Sequence, residues 1–487
     1  MSTSISQHFS PWSLLKFTFP SIIMMMFMSL YTIVDGIFIS RFIGSNALSS
    51  LNIVYPVDSI VIAIGTMLAT GGNAVISRYL GEEKIQLAKE CLSLFTLTGF
   101  LLSLLMSILS LLFPDFISRA LGANDLLLAD CRTYLSILMG FAPACMLQTL
   151  FQSYLVTAGA PHLGLFLTMI AGIINAGLDY VLIVSCDLGI AGAALATGLG
   201  QMVPALAGLV FFLNQKHALH LTRFTMHTKE LIQACYNGSS EMVNQFSNAV
   251  ITFLFNIILM RLAGPNGVAA ITILLYGQFL FNAFYLGFSI GISPIVGYQY
   301  GAENRKELKS IYRISFRFVS LSSVIIAFAA VYLSTGIVTI FTDDPKTHAL
   351  AVTGFGIFAY NFLFSGFNIA SSGFFTALSD GKSSAIISFC RTFHRDLTAG
   401  ASAVLRGQWG MAGYSCGRVC DTAAVHLDAQ KVLVSLYLGI RCFTSSAKYS
   451  APVSRMSSHL PARSQHPEIH LRRLHSPHPV CTPLDCG

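Results

Sequence analysis

Asp35, Asp179 and Glu241 lie in or at the mouth of long apolar runs. A charge at the centre of a spanning helix costs ~2.5–3.5 kcal/mol on insertion scales, so an acid kept there is a candidate for function rather than packing. Asp35 stands six residues before Arg41, and Asp179 stands seven before Cys186. With those residues at the outer ends of their helices, both carboxylates fall at one depth, ~10 Å inside the boundary. Asn175 is one helical turn from Asp179 and shares its face. Tyr134 and Thr197 reach the same level on two further runs, which gives five polar groups from four helices in one layer. A facing pair of carboxylates suits the exchange of a proton or a small cation. Neutral groups such as Tyr134 and Thr197 also serve as helix–helix hydrogen bonds, worth on average ~0.6 kcal/mol. Asp58, near the start of the second run, reads as interfacial, and Glu241 as standing at the cytoplasmic entry to the seventh.

The elements that must carry these groups follow from composition. Of 487 residues 54% are hydrophobic and 10% charged, against roughly 25% charged in an ordinary soluble domain. Runs of ~20 apolar residues, enough to cross ~30 Å of hydrocarbon, recur from residue 14 onward. Ten can be drawn: 14–40, 54–79, 91–113, 129–157, 162–185, 188–213, 241–263, 267–298, 312–340 and 349–377. They lack the alternation of barrel strands, so helices must satisfy their backbone hydrogen bonds in lipid. The first run is too long for a removable signal and lacks a cleavage site, so it should stay as a spanning helix. Bases crowd the even-numbered loops: Arg78, Lys84, Lys89, Lys216, Arg223, Lys229, Arg305, Lys306, Lys309, Arg313, Arg317 and Lys382, against Arg41, Arg119, Arg132, Arg261 and Lys346 on the other side. Basic loops stay inside, so the N-terminus is expected in the cytoplasm. The net charge of +7 then reflects topology and a basic tail, without a nucleic-acid partner. No CxxC, HExxH or phosphate-loop pattern occurs, so neither a metal, a cofactor nor ATP bound on this chain is expected, and transport should be secondary.

The chain also repeats itself. Gly44-Ser45-Asn46 and Gly264-Pro265-Asn266 stand 220 residues apart, as do Gly71 through Gly81 to Lys89 and Gly291 through Gly301 to Lys309. Thr157-Ala158 matches Thr376-Ala377 at 219. Two copies in one orientation, six helices each, is the pattern of a parallel-repeat transporter. The expected fold is an all-α polytopic membrane protein of two six-helix lobes in pseudo-two-fold parallel repeat. The second lobe is truncated, leaving about ten helices.

The truncation comes from residue 394 onward, where no spanning run can pass Arg395, Asp396, Arg406 and Arg418. Reading the codons one base later accounts for the break. Trp409 followed by Gly410 must then give Gly, and Met411 followed by Ala412 must give Trp. The remaining codons permit a helix, a loop and a second helix, with a G-x-x-G falling 217 residues after Gly189 to Gly192. The competing reading is a genuine disordered cytoplasmic tail, in which Cys416 and Cys420 form a poor zinc pair. The expected organisation is a first lobe at 1–215, an incomplete second lobe at 216–393 and a non-family tail at 394–487.

Taken together, several motifs resemble the multidrug and toxic compound extrusion family. They are Pro20 with Asp35, Tyr134, the N-x-x-x-D of Asn175 to Asp179, and G-x-x-G-A-A-x-A-T from Gly189 to Thr197. Asn237-Gly238-Ser239-Ser240-Glu241 and Gly291 to Gly301 complete the set. The resemblance implies a V of two six-helix lobes that exports small organic cations in exchange for H⁺ or Na⁺. In that frame Asp35 and Asp179 bind the coupling ion with Tyr134, Asn175 and Thr197 around them, Pro20 bends the first helix, and Glu241 matches an acid of the second lobe. Two readings compete: a flippase for lipid-linked precursors, which the acidic first lobe argues against, and an inactive truncated product. A monomer in the inner (plasma) membrane is expected.

Overall fold

The computed structural model describes residues 5–43, 45–123, 125–342 and 344–388, and every regular element among them is helical. The expected tail at 394–487 and the missing helices lie outside the described residues.

Helix α1 (Pro11–Phe38) starts on Ser10, whose hydroxyl accepts the Ser13 N–H, with Pro11 at the first helical position. It ends in a wide π-type turn, Ile39–Ile43, before α2 (Ser45–Gly81) returns. Then follow α3 (Ile85–Leu112), the short α4 (Pro114–Ala120), α5 (Leu128–Gly140), α6 (Ala142–Thr157) and α7 (Pro161–Asp179). A second π-type turn, Tyr180–Ser185, leads to α8 (Gly189–Leu213). The remaining helices are α9 (Thr228–Gly301), α10 (Arg305–Tyr332), α11 (Ser334–Phe341) and α12 (Pro345–Ala377). Among the described residues seven stretches are long and apolar enough to cross a membrane, and nine if each of two bent pairs is one span. The stretch expected to cross as one run at 129–157 is bent by 50° between α5 and α6, where Gly140 and Pro143 flank the break. On α3 an exposed stripe of Leu97, Leu101, Leu105, Ile108 and Leu112 has the i, i+4 spacing of one helix face. Such a surface belongs against hydrocarbon.

Helix α9 is continuous in hydrogen bonding over 74 residues, yet it cannot be straight. The Ala234 carbonyl abuts Gly71 and the Tyr298 carbonyl abuts Gly81, two positions on α2 only about 15 Å apart along its axis. A straight helix would separate Ala234 from Tyr298 by about 96 Å. α9 therefore doubles back into two antiparallel arms, as the expected pair of runs at 241–263 and 267–298 requires. Its first arm begins earlier than expected, at Thr228 rather than 241. Lys229, Glu230, Gln233 and Asn237 lower the hydropathy there, but the stretch is packed against protein: Asn237 and Ser240 are fully buried, and Gly238 lies on the Met67 backbone.

The internal repeat is drawn in the backbone. α3 and α10 begin and end 220 residues apart. Glu83 and Glu303, also 220 apart, both take left-handed conformations, with φ of 61° and 54°. The turn bonds Lys84 N–H to Tyr79 carbonyl and Asn304 N–H to Gln299 carbonyl repeat in the same register. After α6 and α12 the bonds Ala160 to Leu155 and Asp380 to Phe375 also stand 220 apart, with Gly159 and Ser379 both left-handed. The sequence match of Thr157 to Thr376 at 219 is thus one residue out of structural register, because Val156 is the true counterpart of Thr376.

Three ties link the halves on the face where the N-terminus lies. A strap formed by residues 5–10 places buried Ile5 and Phe9 under the start of α10, where Glu307 accepts the Phe9 N–H at 2.8 Å and contacts His8 Nδ1 at 2.7 Å. The connector after α8 docks on α3, with the Thr222 N–H donating to Ser93 at 2.8 Å and His227 meeting Glu90 at 2.6 Å. The α2–α9 seam is the closest. A Cβ at Gly71, Gly81, Gly238 or Gly301 would strike the backbone of the facing segment, so no side-chain rotation can relieve it. Gly71→Val should wedge this seam open, with an overpacking cost of about 1–3 kcal/mol. Maleimide labelling of Cys235, beside the Ala234 contact, should then accelerate relative to the parent in a background lacking the other cysteines; unchanged labelling would show that the seam is not a tight closure.

Candidate functional site

The acid layer is assembled by small residues. Gly172 on α7 admits Phe27 and Tyr31 of α1, since a Cβ there would crowd both rings. Asp35 follows Tyr31 by one turn and Asp179 follows Gly172 by two, so the parallel helices carry the two carboxyls toward one level. Gly200 on α8 packs on Asn175 and the Ala171 carbonyl, placing Thr197 a turn away. Gly198 makes room for the Phe141 ring at the α5–α6 bend.

Asp35 and Asp179 lie within hydrogen-bonding range of one another. Asp179 is fully buried. Both of its oxygens, and Asp35 Oδ1, are buried without a hydrogen-bond donor among the described residues. A buried carboxylate without a donor or counter-charge is costly by several kcal/mol. Either a proton shared across the pair or a small cation between them removes that cost, and the residues present fit such a guest. Buried Tyr134 stands within electrostatic range of Asp35, Asp58 and Asp179 together, which makes its phenol the point where the acids converge. Asn175 is buried one turn before Asp179. Thr197 donates to the Ala193 carbonyl at 3.1 Å and retains acceptor lone pairs.

Each acid-bearing helix opens into a π-type turn directly beyond its carboxylate, at Ile39–Ile43 and at Tyr180–Ser185. Such wide turns recur at functional sites because they re-aim the groups around them. Pro20 is buried inside α1 and removes one backbone bond from it. On either side of it Thr18 and Ile22 receive Gly291 and Gly287 of α9 in close contact, so the Pro20 turn is seated on the other half of the molecule.

Two placements differ from expectation. Asp58 is not interfacial: α2 begins at Ser45, so Asp58 lies about 20 Å along it, within electrostatic range of Tyr31, Tyr134 and Cys145. The hydropathy reading started the second run at 54 and so put this acid at its edge. A signal was available in the repeat, because the position 220 residues on is Gln278, also buried. Glu241 likewise lies about 20 Å into the first arm of α9 rather than at its entry. It sits next to Ser240, whose hydroxyl accepts from Ser384 at 2.9 Å. Among the described residues no hydrogen bond or ion pair joins Glu241 to the carboxylate pair.

Repeated helical halves with a buried acid layer define a membrane transporter, not an enzyme. Residues 20–181 and 242–395 match the MatE family model, and the chain belongs to that family. It is 24% identical over 391 residues to the multidrug export protein MepA of Staphylococcus aureus strain MSSA476, covering 77% of this chain and 83% of that protein. MepA of Staphylococcus saprophyticus is 23% identical over 387 residues, covering 74% and 81%. Among solved structures, the outward-facing conformation of a multidrug resistance MATE family transporter superposes with a TM-score of 0.81 at 20% identity, covering 91% of this chain and 98% of that one. A MOP superfamily transporter from Pyrococcus furiosus, described as having a binding pocket of reverse polarity, gives 0.79 at 19% identity over 91% and 98%.

Asp179→Asn keeps the shape of the pair and removes its capacity to hold a cation. In proteoliposomes it should reduce ion-driven uptake of a fluorescent organic cation by on the order of 10²-fold, the loss of about 2.7 kcal/mol, and Asp35→Asn should do the same. Asp58→Asn should give a smaller loss, because Asp58 is not a member of the pair and shares with it only the surroundings of Tyr31 and Tyr134. Transport at the parent rate by both Asp35→Asn and Asp179→Asn would remove the pair from the mechanism.

Proposed function

We propose that the chain is a secondary antiporter that exports small organic cations in exchange for H⁺ or Na⁺. The observation that carries this reading is the Asp35–Asp179 pair, in which both Asp179 oxygens and Asp35 Oδ1 are buried without a donor among the described residues. Coupling ion and drug compete for this negative centre through two global states, one open to each side of the membrane. Tyr134, Asn175 and Thr197 supply neutral oxygens around it, and Pro20 lets α1 bend as the occupant changes. The acidity of the layer favours cationic cargo over the anionic headgroup of a lipid-linked precursor. The multidrug export named for the MepA relatives points the same way. The glycine-mediated closure on the N-terminal face supports a state open to the opposite side.

We place the first lobe at 1–215, the second at 216–393, and the N-terminus in the cytoplasm of a cell with its plasma membrane as host, the protein acting as a monomer. Arg119 and Arg132 on the far face pair with Asp125 and Asp115, which leaves the unpaired bases concentrated on the proposed inner face. The stretch 394–487 is read as the product of a one-base slip, and the MatE match ends at residue 395.

The deciding experiment compares the chain as written with a version restored by one base near codon 393, both in energised inverted vesicles. The restored version should accumulate a fluorescent organic cation when a proton or sodium gradient is imposed, and lose it when that gradient is collapsed. The written chain should be at least tenfold less active, because four charged residues at spanning positions would cost on the order of 10 kcal/mol. Equal export by both would establish the tail as a genuine extension, and export by neither under either gradient would overturn the antiport reading.

A further inference from the structure

Along α10, Lys306, Lys309, Arg313 and Arg317 recur at three- and four-residue intervals and so share one face. With Pro11 of α1 they line a groove of about 470 Å³. All four bases are exposed, and none has a carboxylate partner among the described residues. The acid within the same turn is turned away: Glu307 is buried and occupied by His8 and the Phe9 N–H. Farther along the helix the same face becomes apolar while staying exposed, through Leu321, Val324 and Phe328. Trp12, next to Pro11, is 77% exposed, in keeping with a ring that settles at the headgroup level of a bilayer.

A face that is cationic over three turns and apolar beyond them has the polarity of an amphiphile standing in a leaflet. A water-soluble anion would use the bases and leave the apolar extension without purpose. Arg317 lies farthest along the helix, and an arginine there can extend its stem over apolar surface while its charge stays at the headgroup level. We propose that this face binds an anionic glycerophospholipid from the leaflet on the N-terminal side, the phosphodiester held by Lys306, Lys309, Arg313 and Arg317 and an acyl chain lying along Leu321, Val324 and Phe328. Because Pro11 lines the groove together with α10, the lipid sits where the start of α1 meets the second half.

The chain carries its own reporter. Its two tryptophans are Trp12 and Trp409, so Trp409→Phe leaves Trp12 alone. The full chain is reconstituted in phosphatidylcholine bilayers that contain either brominated phosphatidylglycerol or brominated phosphatidylcholine at the same mole fraction, and the quenching of Trp12 is titrated. Brominated phosphatidylglycerol should quench with an apparent affinity on the order of tenfold higher. Each base changed to Gln should roughly halve that preference, and all four changes together should abolish it, the four bases sharing the attraction to one anionic headgroup. Arg313→Lys with Arg317→Lys should preserve the preference, and Lys346→Gln at the far face should not alter it. Equal quenching by the two lipids in the parent overturns the proposal. So does loss of the preference on adding excess inorganic phosphate, which would mark a site for the free anion instead.

Discussion

Two carboxylates facing one another away from water repel unless a proton or a metal cation stands between them, and the bundle is arranged to hold Asp35 and Asp179 in that position. Neither could be placed there by a loop, since their level must be fixed to within a fraction of a turn. Gly172 and Gly200 do the placing, the first by admitting the Phe27 and Tyr31 rings of α1 against α7 and the second by letting α8 approach the Ala171 carbonyl, and the wide turns beyond each acid follow them. The surrounding helices exclude water from Asp179 altogether. That exclusion makes the pair sensitive to its occupant: in a medium of low polarity, adding or removing one positive charge changes the local energy by more than a packing contact can.

Most of the scaffold was legible because hydrocarbon imposes a strict rule on backbone and side chain alike. Long apolar runs, the parallel repeat and the acid layer all follow from it. The misplacements of Asp58 and Glu241 share one cause, which is that hydropathy measures affinity for lipid while several helical stretches are solvated by protein. Ser45 to Asp58 and Thr228 to Glu241 are polar enough to look like approaches to a membrane, yet they are the first turns of α2 and α9. Asp58 was placed at an edge for that reason. The bends between α5 and α6 and within α12 leave the apolar pattern intact, so only Gly140 and Pro143 hint at the first of them. The repeat register after α6 was off by one because identity of residue type at Thr157 and Thr376 outweighed the hydrogen-bond pattern, which sequence does not display.

The halves meet most intimately through glycine. At Gly71, Gly81, Gly238 and Gly301 the approach is backbone to backbone, without interlocking side chains to be pulled apart. Gly287 does the same against Ser21 and Ile22 beside Pro20. A seam of this type could separate and re-form at little cost in rotamer rearrangement, whereas an interlocked core resists by virtue of its close packing.

The strap at the N-terminus has a bearing on how the molecule is made. Phe9 is translated before its partner Glu307, which lies 298 positions later in the chain. The tie cannot close until the second half has been translated and has inserted with α10 on the correct side, so it is a late step that depends on everything before it. Until then Ile5 and Phe9, both fully covered in the finished fold, are exposed apolar residues on a loose end, of the kind that chaperones and proteases recognise in unfinished proteins. The segment before α1 thus marks whether the second half has arrived.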